Sequence, residues 1–176
     1  MRRRESLKQD SWPLNTTMNI GQKPAICDLR QKMRAINLSA REIGDLKELP
    51  KDCVLISINE EYGDLYPLQF SDESRILRQR FSDIHAAIES KGRTYNPINA
   101  RHADEIIRFC EDNRYKYENF LVHCAAGISR SSAVCLFLSL VYGADLKENF
   151  WHLSEPNPYV LGLLLVRYKN PLLATP

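Results

Sequence analysis

The twelve residues Phe120-Leu-Val-His-Cys-Ala-Ala-Gly-Ile-Ser-Arg-Ser131, followed by the apolar stretch from Ser132 to Tyr142, decide the fold of this chain. A short apolar run leads to Cys124, a group of mostly small residues follows, and an arginine opens the long apolar stretch. This order predicts a buried strand, a tight loop and a buried helix. Because the loop ends at a helix N-terminus, its backbone N–H groups and the helix dipole favour a bound anion.

The residue types in this loop suit a sulfur nucleophile beside a phosphate group. The field at a helix N-terminus favours the thiolate form of a cysteine, so Cys124 is the candidate nucleophile. Arg130 offers a planar fork that matches two phosphate oxygens, and Ser131 can donate a hydrogen bond to the sulfur. The residues between them leave room for the backbone to curl around an anion, and they form with Arg130 the predicted phosphate loop: Ala125, Ala126, Gly127, Ile128 and Ser129.

These residues resemble the signature His-Cys-x5-Arg-Ser/Thr of the protein tyrosine phosphatase superfamily, and most of all its small dual-specificity-like group. The resemblance implies that Cys124 attacks phosphorus to form a phosphocysteine, that Arg130 binds the phosphoryl oxygens and that Ser131 helps the thiolate to leave. It also implies hydrolysis of phosphotyrosine, and of phosphoserine or phosphothreonine in dual-specificity members, with no metal and no cofactor. A weaker likeness extends over residues 25–169.

The general acid is less clear from the sequence. In this family an aspartate upstream of the nucleophile protonates the leaving oxygen, and its usual spacing falls near Gly92, which is not an acid. Asp83 directly follows the predicted strand Arg75–Phe81, which is a suitable place for a carboxylate on a loop. Asp72 has a similar local sequence and remains the alternative. We favour Asp83.

Strand and helix patterns alternate along the chain and predict an α/β fold. Cys53–Ile58 is typical of a buried strand, and Ala100–Asp112 is an amphipathic helix. Ser39 is expected to open a helix that reaches Leu49, and Gly143 to end the helix after the loop. We therefore expect a central, mostly parallel sheet with helices on both faces and the phosphate loop between a strand and a buried helix.

Composition narrows the class of protein. The chain has 176 residues and a net charge of +2, which Arg2, Arg3 and Arg4 more than account for, so nucleic-acid binding is not expected. No apolar stretch is long enough to cross a membrane. Residues 1–17 look like a flexible basic arm and residues 18–176 like one phosphatase domain. The five scattered cysteines favour a reducing compartment such as the cytoplasm over a disulfide framework or a metal site.

Two other functions remain open at this point. An intact loop with a misplaced acid would suit a phosphopeptide-binding module without catalysis. A phosphatase acting on a phosphoinositide or an RNA 5′-phosphate is also compatible with the signature. The five residues between Cys124 and Arg130 include no lysine or arginine, which disfavours such highly charged substrates. The expected partner is a phosphorylated protein, and the sequence does not indicate an oligomeric state.

Overall fold

The computed structural model describes residues 33–70, 72–148 and 150–170. The described residues all belong to one compact unit. The predicted basic arm, residues 1–17, lies outside them, and so does Cys27.

A five-stranded parallel sheet forms the centre of the described region. Its strands lie in the order β3-β2-β6-β1-β7, and a short antiparallel hairpin of β4 and β5 stands apart. The strand bounds are β1 (Arg34–Ser39), β2 (Cys53–Asn59), β3 (Ile76–Arg80), β4 (Ile88–Ser90), β5 (Arg93–Tyr95), β6 (Asn119–Cys124) and β7 (Asp145–Leu146).

Helices cover both faces of the sheet, as predicted. They are α1 (Ala40–Gly44), α2 (Ala100–Asn113), α3 (Arg130–Tyr142), α4 (Phe150–Leu153) and α5 (Pro158–Lys169). Successive side chains of β2 lie on opposite faces of the sheet. Val54 and Ile56 belong to the apolar cluster with α2, α3 and α5, whereas Leu55 belongs to the cluster with Ile43 of α1. None of these described helices has the length and apolarity needed to cross a membrane.

The local predictions hold for the long elements. The strand at Cys53–Ile58 and the helices at Ala100–Asp112 and after the loop are all present, and Gly143 ends α3 with a φ of 70°. The predicted helix from Ser39 to Leu49 is wrong in length. Ser39 does cap it in a capping box with Glu42, but the helix stops at Gly44, a residue type that destabilises helices.

The strand predicted at Arg75–Phe81 is also shorter than expected. A 3-10 turn occupies Glu73–Arg75, and β3 runs only from Ile76 to Arg80. The sequence reasoning did not identify β1, β7 or the hairpin. The missed β1 matters most, because it lies beside the strand that carries Cys124.

Candidate active site

Cys124 ends the central strand β6 at the carboxyl edge of the sheet. Its side chain is only 2% exposed, and its Sγ lies 3.1 Å from the Oγ of Ser131 in the first turn of α3. The structure therefore brings together the predicted nucleophile and the serine predicted to assist it. The site lies where parallel α/β sheets usually bind their ligands.

The carbonyl groups of the loop point away from its centre. Four of them accept hydrogen bonds from surrounding segments: Ala125 O from Ala40 N, Gly127 O from Asn37 Nδ2, Ile128 O from Glu155 N and Ser129 O from Asn157 N. In a trans peptide the next N–H points the opposite way, so the N–H groups of the loop turn inward. No described group accepts from the N–H of Ala126, Ile128 or Ser129. This arrangement suits an oxyanion, whose oxygens accept hydrogen bonds from such N–H groups.

Gly127 allows the loop to pack against the first strand. Its φ is +71°, and a Cβ added there would lie 2.8 Å from backbone atoms of Leu38 and Ser39. Any larger residue would both strain the backbone and collide with β1. The sequence pattern did not indicate this contact with β1.

Arg130 is 3% exposed and is held by fixed oxygen atoms. Its Nη1 donates to the carbonyl of Phe81 at 2.8 Å, and its Nη2 donates to the carboxylate of Glu60. Its Nε is buried and has no acceptor among the described residues. A buried donor without an acceptor destabilises the folded state, so this N–H is suited to donate a hydrogen bond to an oxygen of a bound anion. Glu60 was not recognised from the sequence.

Asp83 lies at the edge of the loop. Its Oδ1 accepts hydrogen bonds from the hydroxyl of Ser129 at 2.9 Å and from the side-chain amide of Asn157 at 2.7 Å. Ser129 is the N-cap residue of α3, yet its side chain does not cap the helix because it bonds Asp83 instead. The free N–H groups of the first helical turn therefore stay available to a ligand.

Asp72, the alternative acid, has local partners instead. Its carboxylate accepts from the Ser74 hydroxyl at 2.5 Å and from Arg75 Nε at 2.6 Å, which holds its pKa below the usual range. The hydrogen bonds of Asp72 to described residues therefore lie within the turn before β3. Of the two candidates, Asp83 is the one that contacts the loop.

His123 of β6 is fully buried. Its Nε2 lies 2.8 Å from Ser57 Oγ, and its ring lies 5.5 Å from the ring of Tyr66. Burial lowers the pKa of His123 to about 4, so the ring is neutral at neutral pH. These contacts fix the ring of the residue that directly precedes Cys124.

Asn37 of β1 is a site residue that the sequence reasoning missed. Its side chain contacts Gly127 and Ser131, which lie on either side of Arg130. A single asparagine on a strand carries no local signal of such a role. Within the described ranges, no group of three or more His, Cys, Asp or Glu side chains is placed to hold a metal ion.

Comparisons with known proteins add one sequence match. No family model matches the chain. Over 60 residues, 34% of this chain, it is 42% identical to the mouse protein phosphatase Slingshot homolog 3, and the match spans only 9% of that protein's length. The similarity supports the predicted resemblance to the protein tyrosine phosphatase superfamily, in its dual-specificity-like group.

Among solved structures, the crystal structure of Tk-PTP in the active form matches 80% of this chain and 82% of its own. The sequence identity is 20% and the TM-score is 0.38. That score is too low to support an argument, so the fold assignment stands on the sheet and helices described above.

Proposed function

We propose that this chain is a cysteine-dependent phosphomonoesterase that removes phosphate from phosphotyrosine and also from phosphoserine or phosphothreonine. The observation that carries the proposal is the buried Nε of Arg130, which has no acceptor among the described residues, beside a ring of inward N–H groups. A tetrahedral phosphate would accept from these donors, and Cys124 ends the strand that leads into the same loop. The same donors would bind a trigonal transition state more strongly than the ground state.

In the first step, the thiolate of Cys124 attacks phosphorus and the bond from phosphorus to the ester oxygen breaks. The leaving oxygen takes the electron pair, and protonated Asp83 supplies its proton. Arg130 and the loop N–H groups stabilise the charge on the three equatorial oxygens. The product of this step is a phosphocysteine and a free hydroxyl group.

In the second step, water attacks the phosphocysteine and the sulfur–phosphorus bond breaks. The electron pair returns to the sulfur, and the Ser131 hydroxyl stabilises that charge by a hydrogen bond. Asp83 accepts the proton that the water loses. Inorganic phosphate and free thiolate result, so the cycle needs no metal ion or cofactor.

The substrate class rests on the loop composition and on the partial likeness to a protein phosphatase. Arg130 is the one basic residue of the segment 125–130, and it forms an ion pair with Glu60 that offsets part of its positive charge. This favours a phosphate monoester over a highly charged phosphoinositide or an RNA 5′-phosphate. The alternative of a phosphopeptide-binding module lacks a comparable observation, since Asp83 contacts the loop.

Hydrolysis assays on a phosphotyrosine peptide and on p-nitrophenyl phosphate test the proposal. Cys124→Ser should abolish both activities, whereas Cys53→Ser, a matched change at a buried free cysteine of β2, should leave them unchanged. Binding of the peptide by the wild-type chain without turnover would favour the binding module. Faster turnover of a phosphoinositide than of the peptide would reassign the substrate.

A further inference from the structure

Asn37 connects strand β1 to the residues on both sides of Arg130. Its Nδ2 donates to the carbonyl of Gly127, and it also lies 2.8 Å from Ser132 Oγ and 3.1 Å from Ser154 Oγ. Its Oδ1 accepts from the hydroxyl of Ser131 at 2.6 Å. Asn37 therefore touches the loop and also the serine that faces the nucleophile.

The hydrogen-bond partners fix which way the Asn37 amide faces. The Gly127 carbonyl has no hydrogen and can only accept, so the NH₂ group of Asn37 must face it. The Oδ1 then faces Ser131 and can only accept as well. Ser131 has one hydroxyl proton, and in this arrangement it gives that proton to Asn37.

This arrangement determines what Ser131 presents to the sulfur. With its proton on the Asn37 side, Ser131 Oγ turns a lone pair toward Cys124 Sγ, 3.1 Å away. That geometry suits a neutral thiol, which donates to the oxygen. A thiolate has no proton to donate, so Ser131 must turn its own proton from Asn37 to the sulfur.

We propose that Asn37 is a positioning residue that competes with Cys124 for the hydroxyl proton of Ser131. The proposal rests on the proposed function in that it takes Cys124 as the nucleophile. The O–H bond of Ser131 does not break: the hydroxyl rotates toward the sulfur as negative charge forms there and back toward Asn37 when the charge is lost. Asn37 thus holds the loop through Gly127 and makes ionisation of the sulfur less favourable.

Other titratable groups also act on the sulfur. Tyr66, between β2 and β3, and Cys135 of α3 interact with it electrostatically, and His123 precedes it in β6. Arg130 of α3 in turn acts on Tyr66 and His123. Asp83 and Glu60 are hydrogen-bonded to Ser129 and Arg130 of the same loop. Replacement of Asn37 by a neutral residue changes none of these charges, so its effect can be separated from theirs.

Alkylation of Cys124 by iodoacetamide, followed across pH in the full chain by peptide mass spectrometry, tests the proposal. Asn37→Leu removes the competing acceptor and should move the midpoint of the alkylation profile to lower pH, with a rate about fivefold higher below the midpoint. Asn37→Asp supplies a stronger, charged acceptor and should move the midpoint to higher pH. Ser154→Ala, which removes only one partner of the Asn37 NH₂ group, should leave it in place.

The double variant with Ser131→Ala identifies the route of the effect. In that background Asn37→Leu should cause no further shift, and the shift caused by Asn37→Asp should shrink. An Asn37→Leu shift that survives without Ser131, or shifts of the same sign for leucine and aspartate, would overturn the proposal. If the leucine variant does not fold, the near-isosteric aspartate variant gives the same test through its dependence on Ser131.

The alkylation assay needs no phosphatase substrate, so the two proposals can fail separately. If the Asn37 variants shift the alkylation midpoint as expected but the chain hydrolyses no phosphate ester, the proposed function is overturned and the role of Asn37 stands. Hydrolysis that depends on Cys124, without the expected shifts, would overturn the role of Asn37 alone.

Discussion

The hydroxyl of Ser129 donates a 2.9 Å hydrogen bond to Asp83, although 46 residues separate the two in the sequence. Asn157, from the segment before α5, donates to the same carboxylate oxygen. These two bonds hold a carboxylate at the edge of the phosphate loop. Its second oxygen, Oδ2, takes part in neither bond.

Asp83→Asn should slow the first chemical step by about a hundredfold or more, because the amide cannot donate a proton to the leaving oxygen. The loss should be large for phenyl phosphate and small for p-nitrophenyl phosphate, whose leaving group needs no proton. Pre-steady-state kinetics on the two esters measures these effects.

Asp72→Asn is the matched control, because Asp72 bonds Ser74 and Arg75 rather than the loop. It should leave the ratio of the two ester rates unchanged. A change in that ratio for Asp72→Asn, with none for Asp83→Asn, would transfer the acid role to Asp72.

Gly127→Ala should destabilise the chain and abolish phosphate binding. Gly127 and Gly143 have nearly equal positive φ angles, 71° and 70°, but a Cβ at Gly143 would meet nothing within 4 Å. Alanine at either position, Gly127→Ala or the control Gly143→Ala, therefore brings a backbone strain of about 1–2 kcal/mol. Gly127→Ala should lose about 2 kcal/mol more from the clash with Leu38 and Ser39. Equal losses in the free energy of unfolding in urea would show that the clash does not matter.

Glu60→Gln should affect stability and phosphate affinity in opposite directions. The carboxylate of Glu60 pairs with the buried Arg130 and is itself 45% exposed. Without its charge, the chain should be less stable in the absence of ligand, by about 1 kcal/mol. Inorganic phosphate should inhibit more strongly, by about fivefold, since a competing negative charge is gone. Calorimetry and inhibition assays measure the two effects, and weaker inhibition by phosphate would show that Glu60 only orients Arg130.

His123 should make the folded state less stable in mild acid. Its pKa is about 4 in the folded chain and about 6.5 when unfolded, so the unfolded chain binds the proton first. Stability should be unaffected above about pH 6.5 and fall by about 3 kcal/mol as the pH approaches 4.

His123→Gln should remove that part of the pH dependence, and denaturant titrations at several pH values would measure it. His152→Gln provides the control, since His152 lies on the surface in α4. If the free energy of unfolding of His123→Gln fell as steeply with falling pH as that of the wild type, the acid sensitivity would belong to other groups.

The sequence was sufficient to predict the parts of the site that are local in the chain. The strand, the loop and the buried helix lie within residues 119–142, where apolar runs and small residues leave a clear pattern. Cys124 and Ser131 are only seven positions apart in the sequence, and the loop and the first turn of α3 bring their side chains together. Asp83 contacts the loop as the strand-to-loop argument suggested, while its role as the acid stays a prediction.

The sequence was not sufficient for residues that reach the site from distant segments. Strand β1 has a mixed pattern because Asn37 and Ser39 serve the loop and α1 rather than the apolar core. Glu60 follows β2 and has no local feature that points to Arg130. Such contacts depend on the order of the strands in the sheet, which a single sequence does not reveal.

Trapping of the intermediate tests the central claim most directly. Ser131→Ala should slow the departure of the thiolate, so the phosphocysteine should accumulate when p-nitrophenyl phosphate is added and the reaction is quenched in acid. Peptide mass spectrometry should then find one phosphoryl group on Cys124 and none in the Cys124→Ser variant. Continued hydrolysis with no phosphoryl group on Cys124, or with the group on another residue, would contradict the proposed mechanism.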